Sequence, residues 1–324
     1  MTQTTRRGFL AASAAAVAAF AVPSRFASAA DAPAAADAKA SAAPATAPVM
    51  FGGRIEAVKV ADDLVVFAGA GGNAAACFDA GRVLLVDSGV PFRAAEMLKL
   101  VTALAPEAKA RTLFNTHWHY DHTGGNDAFA AAGFAVVGTV ACRQRMGQKV
   151  NFQDLAMVME PTPERTWPTV TFEEKLTLFA GAEPVRLIKW PASHTDTDAV
   201  AYFEKHNVLH TGDVLVSGGY PVIDRATGGS LDGMIAATKQ LTTVGDAKTR
   251  IIPGHGPVGG REMIQTQLDL LNLVRDRLAP LAERKLTIDE VLKLAPLADL
   301  DEKWGRGFLR SPVFTRMAYG QWTK

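Results

Sequence analysis

From Arg54 onward, short apolar runs alternate with polar and glycine-rich breaks. Arg54–Val60, Leu64–Ala68, Asn73–Phe78 and Arg82–Asp87 read as four closely spaced strands, with a turn at Gly69–Gly72. Over Phe92–Leu104 the apolar spacing becomes helical, behind Pro91, a residue that suits a first turn. Strands and helices then alternate. Thr112–Asn115, Phe134–Val137, Val185–Lys189, Ala199–Phe203, Val208–His210 and Arg250–Ile252 are predicted strands. Asp127–Ala132, Thr139–Lys149, Leu231–Val244 and Glu262–Leu278 are predicted helices. Residues 285–324 read as a mixed tail with one helix near Ile288–Leu294. Strands bunched early and then alternating with helices predict an α/β fold of two sheets sandwiched between helices. The pattern leaves residues 51–54, 151–170 and 218–230 as loops.

The first thirty residues follow different rules. Arg6-Arg7-Gly8-Phe9-Leu10 opens an uncharged, Ala-rich stretch that ends at Arg25 and the small-residue run Ala27-Ser28-Ala29. A basic start, a short apolar run and an A-x-A end describe a secretory signal over residues 1–29, and the paired arginines make it a twin-arginine type. The stretch between Arg7 and Arg25 falls short of the roughly 20 strongly apolar residues a membrane span needs. The expected partner is the twin-arginine export machinery, and the expected destination is the periplasm. Residues 30–50, rich in Ala and Pro, read as a linker. The expected domain then runs over 51–282, with a helical tail, 283–324, packed on it.

Composition narrows the function. The chain has 324 residues, is 48% hydrophobic and carries 34 basic against 33 acidic residues. Removal of Arg6, Arg7 and Arg25 with the signal leaves the mature chain slightly acidic, so nucleic acid is an unsuitable partner. Two cysteines, Cys77 and Cys142, make neither a disulfide scaffold nor a four-thiolate zinc site. Cys77 sits in an apolar strand run, and a buried free thiol is the expected fate.

Of seven histidines, three fall within the six residues His117-Trp118-His119-Tyr120-Asp121-His122. His117 and His119 are two apart, so on an extended segment they project to one side. Asp121 and His122 lie past the turn and can face a second position, so one loop can serve two adjacent metal ions. Imidazoles and carboxylates suit zinc, and also iron or manganese. Three later residues at strand ends complete the set: His194, Asp213, and His255 between Gly254 and Gly256. His206, in a polar turn, reads as solvated, and His210 as a structural residue beside the site. Thr123 reads as a helix cap. Asp196 and Asp198 read as supports of the ligands or as caps of backbone amides.

The run His117-x-His119-x-Asp121-His122, followed in order by His194, Asp213 and His255, resembles the metallo-β-lactamase superfamily over about residues 54–280. The resemblance implies an αβ/βα four-layer sandwich with metals at one edge of the sheets. It implies a first zinc on His117, His119 and His194, a second on Asp121, His122 and His255, and Asp213 bridging both. Zinc β-lactamases of the best-known type place a Cys at the bridging position. An aspartate there is similar to glyoxalase II, lactonases and related hydrolases. Gly218–Asp224 and Lys303–Phe308 resemble segments of exported, poorly characterised members.

The resemblance implies a dinuclear zinc hydrolase that cleaves an ester, thioester, lactone or amide in a small molecule, with Asp121 orienting the nucleophile and carrying a proton. Trp118, Tyr120, Tyr220 and Asp224, which flank ligands, are candidate substrate contacts. Three other readings stay open: a mononuclear iron oxygenase acting on persulfides, a β-lactam hydrolase, and a non-enzymatic metal-dependent binder.

Overall fold

The computed structural model describes residues 54–323, so the signal and linker segments lie outside the described residues. Among the described residues, two large sheets face one another. In spatial order the first holds Glu56–Ala61, Leu64–Ala68, Ala74–Phe78, Arg82–Val86, Ala110–Phe114, Ala135–Thr139 and Val170–Phe172. Its first four strands form an antiparallel meander and the remaining pairings are parallel. The second holds Lys175–Ala180, Glu183–Lys189, Ala199–Phe203, Val208–His210 and Arg250–Ile252, antiparallel except for the last pair.

Alternate residues of each strand go to different cores. Leu64, Val66, Val86 and Phe114 meet Leu187, Ala201 and Phe203 between the sheets. Val65, Phe67, Leu85 and Leu113 face the opposite way, onto Met97 and Val101 of the helix Ala94–Leu104 and onto Phe129. On the second sheet Val200, Leu209 and Ile251 likewise pack on Ala237, Ile264 and Leu268 of the helices Leu231–Gln240 and Glu262–Glu283. Sheets buried on both faces explain why so many strands read as continuous apolar runs rather than as alternation. The layers run helix, sheet, sheet, helix.

The structure departs from the sequence reading in several places. Residues 151–170 are not one loop: Val150–Phe152 and Met157–Met159 pair as a small hairpin. The long helix continues through Pro280 to Glu283, because the carbonyl that loses its partner lies a turn earlier at exposed Asp276. The tail holds a further helix, Ser311–Tyr319, with Pro312 in its first turn. Its Phe314 and Met317 are fully buried against Leu271, Val274 and Leu278 of the long helix.

His206 is another correction. Rather than pointing into solvent, its Nε2 lies 2.6 Å from Asp63 Oδ1 and its Nδ1 lies 3.1 Å from Glu183 Oε2. Asp63 turns between strands of the first sheet and Glu183 starts a strand of the second, so His206 ties the sheets at the sandwich's edge. Cys77 and Cys142 are both free and buried, and burial pushes the Cys77 thiol up to about 12.

Candidate metal centre

The parallel strands deliver the chemistry. Asp87 follows Arg82–Val86, the histidine loop follows Ala110–Phe114, Asp213 follows Val208–His210, and His255 follows Arg250–Ile252. All four are carboxyl ends of strands, where the backbone leaves a sheet and side chains can converge in a crevice. The loop between Glu183–Lys189 and Ala199–Phe203 adds His194.

The loops bring all seven candidate ligands together, in groups able to hold a metal ion. His194 Nε2 lies 3.2 Å from His117 Nε2 and 2.8 Å from His119 Nδ1. Two nitrogens on one tetrahedral zinc, each at about 2.05 Å, would stand about 3.3 Å apart. On the other side His255 Nε2 lies 3.2 Å, and His122 Nε2 3.6 Å, from Asp121 Oδ2. Asp213 touches both sides: Oδ1 is 3.1 Å from His122 Nε2, and Oδ2 is 3.6 Å from His194 Nε2 and 3.4 Å from His255 Nε2. His122 Nε2 and Asp213 Oδ1 are buried and close, yet not aligned as a hydrogen bond, so each lacks a partner. Two orphaned buried donor atoms aimed at one point fit a divalent cation.

Residues 71–260 match the family model described as the metallo-beta-lactamase superfamily. The chain belongs to that superfamily. Among curated proteins none matches by sequence. A metallo-beta-lactamase from Pontibacter korlensis superposes with a TM-score of 0.55 at 19% identity, covering 68% of this chain and 99% of its own. The DIM-1 metallo-beta-lactamase gives 0.53 at 16%, covering 68% and 98%. The stereoselective inverting sec-alkylsulfatase Pisa1 from Pseudomonas sp. gives 0.62 at 16%, covering 83% of this chain and 50% of its own. At these identities the likeness is one of fold.

Within this superfamily fold, His117, His119, His122 and His194 are each aimed by the second nitrogen. His122 Nδ1 lies 2.8 Å from Asp87 Oδ2, and Asp87 also accepts from the Thr116 amide and hydroxyl. His194 Nδ1 lies 2.8 Å from the Val222 carbonyl, which fixes the proton there and leaves Nε2 for the site. His119 Nε2 lies 3.0 Å from Asp224 Oδ2, leaving Nδ1 inward. His117 Nδ1 lies 3.0 Å from the Thr116 hydroxyl. Such partners set tautomer and ring orientation at metal sites.

The electrostatics divide the cluster. Burial and the neighbouring imidazoles push His117 and His194 down, so both are neutral. Burial opposes the charge on His122 and His255 too, but carboxylates prevail there. Asp213, Asp121 and Asp87 hold His122 well above its ordinary range, and Asp213 and Asp121 lift His255 to about 10. Reciprocally, and against burial, His122 and His255 lower Asp121 to about 2, and these imidazoles together with His194 hold Asp213 well below the carboxylate range.

The candidate substrate contacts divide as well. Asp121 and Tyr120 line a cavity of about 670 Å³ over the cluster. Tyr220 contributes to its wall, but is buried, with its ring stacked on Phe314 at 4.6 Å. Trp118 and Asp224 do not line the cavity. Trp118 is buried among Cys142, Met146 and Val150. Asp224 is fully buried, and besides His119 its carboxylate accepts from the Ala226 amide and the Thr227 hydroxyl.

Among the other residues, Asp198 organises the His194 loop, accepting from Ser193, from the His194 amide and from Thr195. Asp196 instead pairs with Arg145. His210 is structural: its Nε2 lies 3.0 Å from the Asn73 carbonyl, while its Nδ1 accepts from the Gly212 amide. Thr123 ends a short helical turn and donates back to the Trp118 and His119 carbonyls instead of capping a helix start.

The sequence reading missed Asp87. An αL backbone (φ 59°) places it, and the signal in the sequence was an aspartate with Ser88 and Gly89 at the end of an apolar run.

Proposed function

We propose that the protein is a metal-dependent hydrolase that cleaves an ester, thioester, lactone or amide bond in a small molecule. The observation that carries this reading is the convergence of seven imidazole and carboxylate groups, of which His119, Asp121, His194, Asp213 and His255 line the floor of a cavity large enough for a small-molecule substrate. His117, His119 and His194 would hold one zinc ion, Asp121, His122 and His255 a second, and Asp213 would touch both. Iron or manganese would suit the same donors. Divalent cations bound there supply Lewis acidity, polarising the scissile carbonyl and lowering the pKa of water towards neutrality.

The chain's own residues supply the rest. Asp121, ionised and lining the cavity, accepts a hydrogen bond from the attacking water and passes its proton to the leaving group. Asp87, Asp224 and the Val222 carbonyl keep the imidazoles aimed through the reaction. Arg6 and Arg7, the uncharged stretch behind them and Ala27-Ser28-Ala29 support export to the periplasm by the twin-arginine machinery.

The test is elemental analysis of untagged mature protein and of a His122→Ala variant, with turnover of p-nitrophenyl esters, thioesters and lactones. About two zinc ions per chain, falling to about one in the variant with loss of turnover, is the expected result. One iron unchanged in the variant would favour persulfide oxygenation. Turnover of a chromogenic cephalosporin in place of the esters would favour β-lactam cleavage. Bound metal without turnover would favour a binding protein.

A further inference from the structure

Above the metal cluster, the cavity wall is dominated by aliphatic, thioether and aromatic side chains. Val66, Phe152, Leu155, Met157, Met159 and Val222 all face it. Among the described residues, and beyond the candidate ligands, its only charged lining residues are Glu56 and Arg250, both exposed, and Arg250 donates to the Val60 carbonyl. The apolar surface also continues outwards. Val58 and Phe308, which line the cavity, are 45% and 52% exposed. Together with Met157 and Met159, these side chains come from the first strand, the small hairpin and the tail, so three distant segments place apolar groups around one opening.

Resting on the hydrolase reading above, we infer that the substrate is an ester or thioester carrying a flexible aliphatic chain, with its carbonyl on the metal floor and the chain along this wall. Polar recognition is concentrated on the floor, where the scissile group must sit. The wall offers area rather than hydrogen bonds, which favours a hydrocarbon chain. Met157 and Met159, unbranched and polarisable, adapt to a chain of many conformers better than a rigid wall would. Hydrolysis breaks the acyl C–O or C–S bond and forms a C–O bond from water. The products are a carboxylate and an alcohol or thiol, which takes one water proton while the other is released.

The experiment uses zinc-loaded mature protein in three arms: p-nitrophenyl esters from acetate to decanoate, alkyl acetates from methyl to decyl, and calorimetric binding of sodium alkanoates from acetate to decanoate. Each buried methylene is expected to raise kcat/KM or affinity about two- to fourfold until the cavity is filled. A rise with the acyl series places the chain on the acyl side, and a rise with the alkyl series on the alcohol side. Met157→Ser and Phe308→Ser should each flatten the slope. Chain-dependent alkanoate affinity without ester turnover would sustain the pocket assignment and sink the hydrolase reading. Equal turnover along both ester series with flat alkanoate affinity would keep the hydrolase and overturn this inference.

Discussion

Asp87 Oδ2 stands 2.8 Å from His122 Nδ1, and both side chains are fully buried. The carboxylate thereby holds the Nδ1 proton and turns Nε2 towards Asp213, 3.1 Å away. Asp87 is held in turn by the amide and hydroxyl of Thr116, the residue before His117. One carboxylate thus steadies the histidine loop at both ends.

Asp87→Asn tests that role with little backbone cost, because asparagine tolerates the αL conformation that Asp87 adopts. The amide keeps the shape but removes the charge and one acceptor. Zinc affinity is expected to fall about 10- to 100-fold, as at other sites that lose an outer partner. Competition with a chromophoric chelator reads this directly. Unchanged affinity would show that Asp87 serves the loop fold and not the ligand.

Metal uptake should release protons. At neutral pH the carboxylates keep His122 and His255 protonated in the metal-free protein, whereas His117 and His194 are neutral. A cation must displace the protons from the first pair. Affinity should therefore rise with pH up to about 10, where His255 titrates. For the metal-free protein the sign reverses. The stabilisation from the His255 pair is complete below the unfolded histidine value of 6.5 and is lost as pH climbs through about 10. Zinc titrations in buffers of different ionisation enthalpy would count the released protons, and a buffer-independent heat at pH 7 would refute the scheme.

Gly254 has no room for a side chain. A Cβ there would fall on Asp213 Oδ1 and press on the Gly212 backbone. Gly254→Ala must displace the carboxylate that touches both halves of the cluster. The expected result is loss of bound zinc with destabilisation of about 1–3 kcal/mol. Full zinc content in the variant, measured after dialysis, would mean that Asp213 can bind from elsewhere.

The tail is part of the packed structure. Phe314 is fully buried, stacks on Tyr220 and joins the core around the long helix. Phe314→Ala should cost about 3–5 kcal/mol in urea unfolding and lower kcat/KM on long-chain esters through the Tyr220 wall. A loss below about 1 kcal/mol would show that the tail is a detachable appendage.

The histidine loop was legible in the sequence because its members are neighbours along the chain. His117 to His122 occupy six consecutive positions, so no long-range folding was needed to recognise them as one site. His194, Asp213 and His255 were legible for a related reason: each follows an apolar run, and ends of buried strands are where polar side chains gather. Most strands were legible because a sheet covered on both faces requires continuous apolar sequence, whereas Val170–Phe172 and Lys175–Ala180, largely exposed, were not.

What the tertiary structure decided is direction and distant partnership. Trp118 and Asp224 looked like pocket residues beside ligands, yet one is packed in the core and the other holds His119 from behind. Asp87 reaches His122 across 35 residues, and Phe308 reaches the cavity from the tail. Local sequence fixes which residues adjoin a site along the chain. Which way a side chain points, and which remote segment closes over it, follows from how buried surfaces pack, and that depends on every element at once.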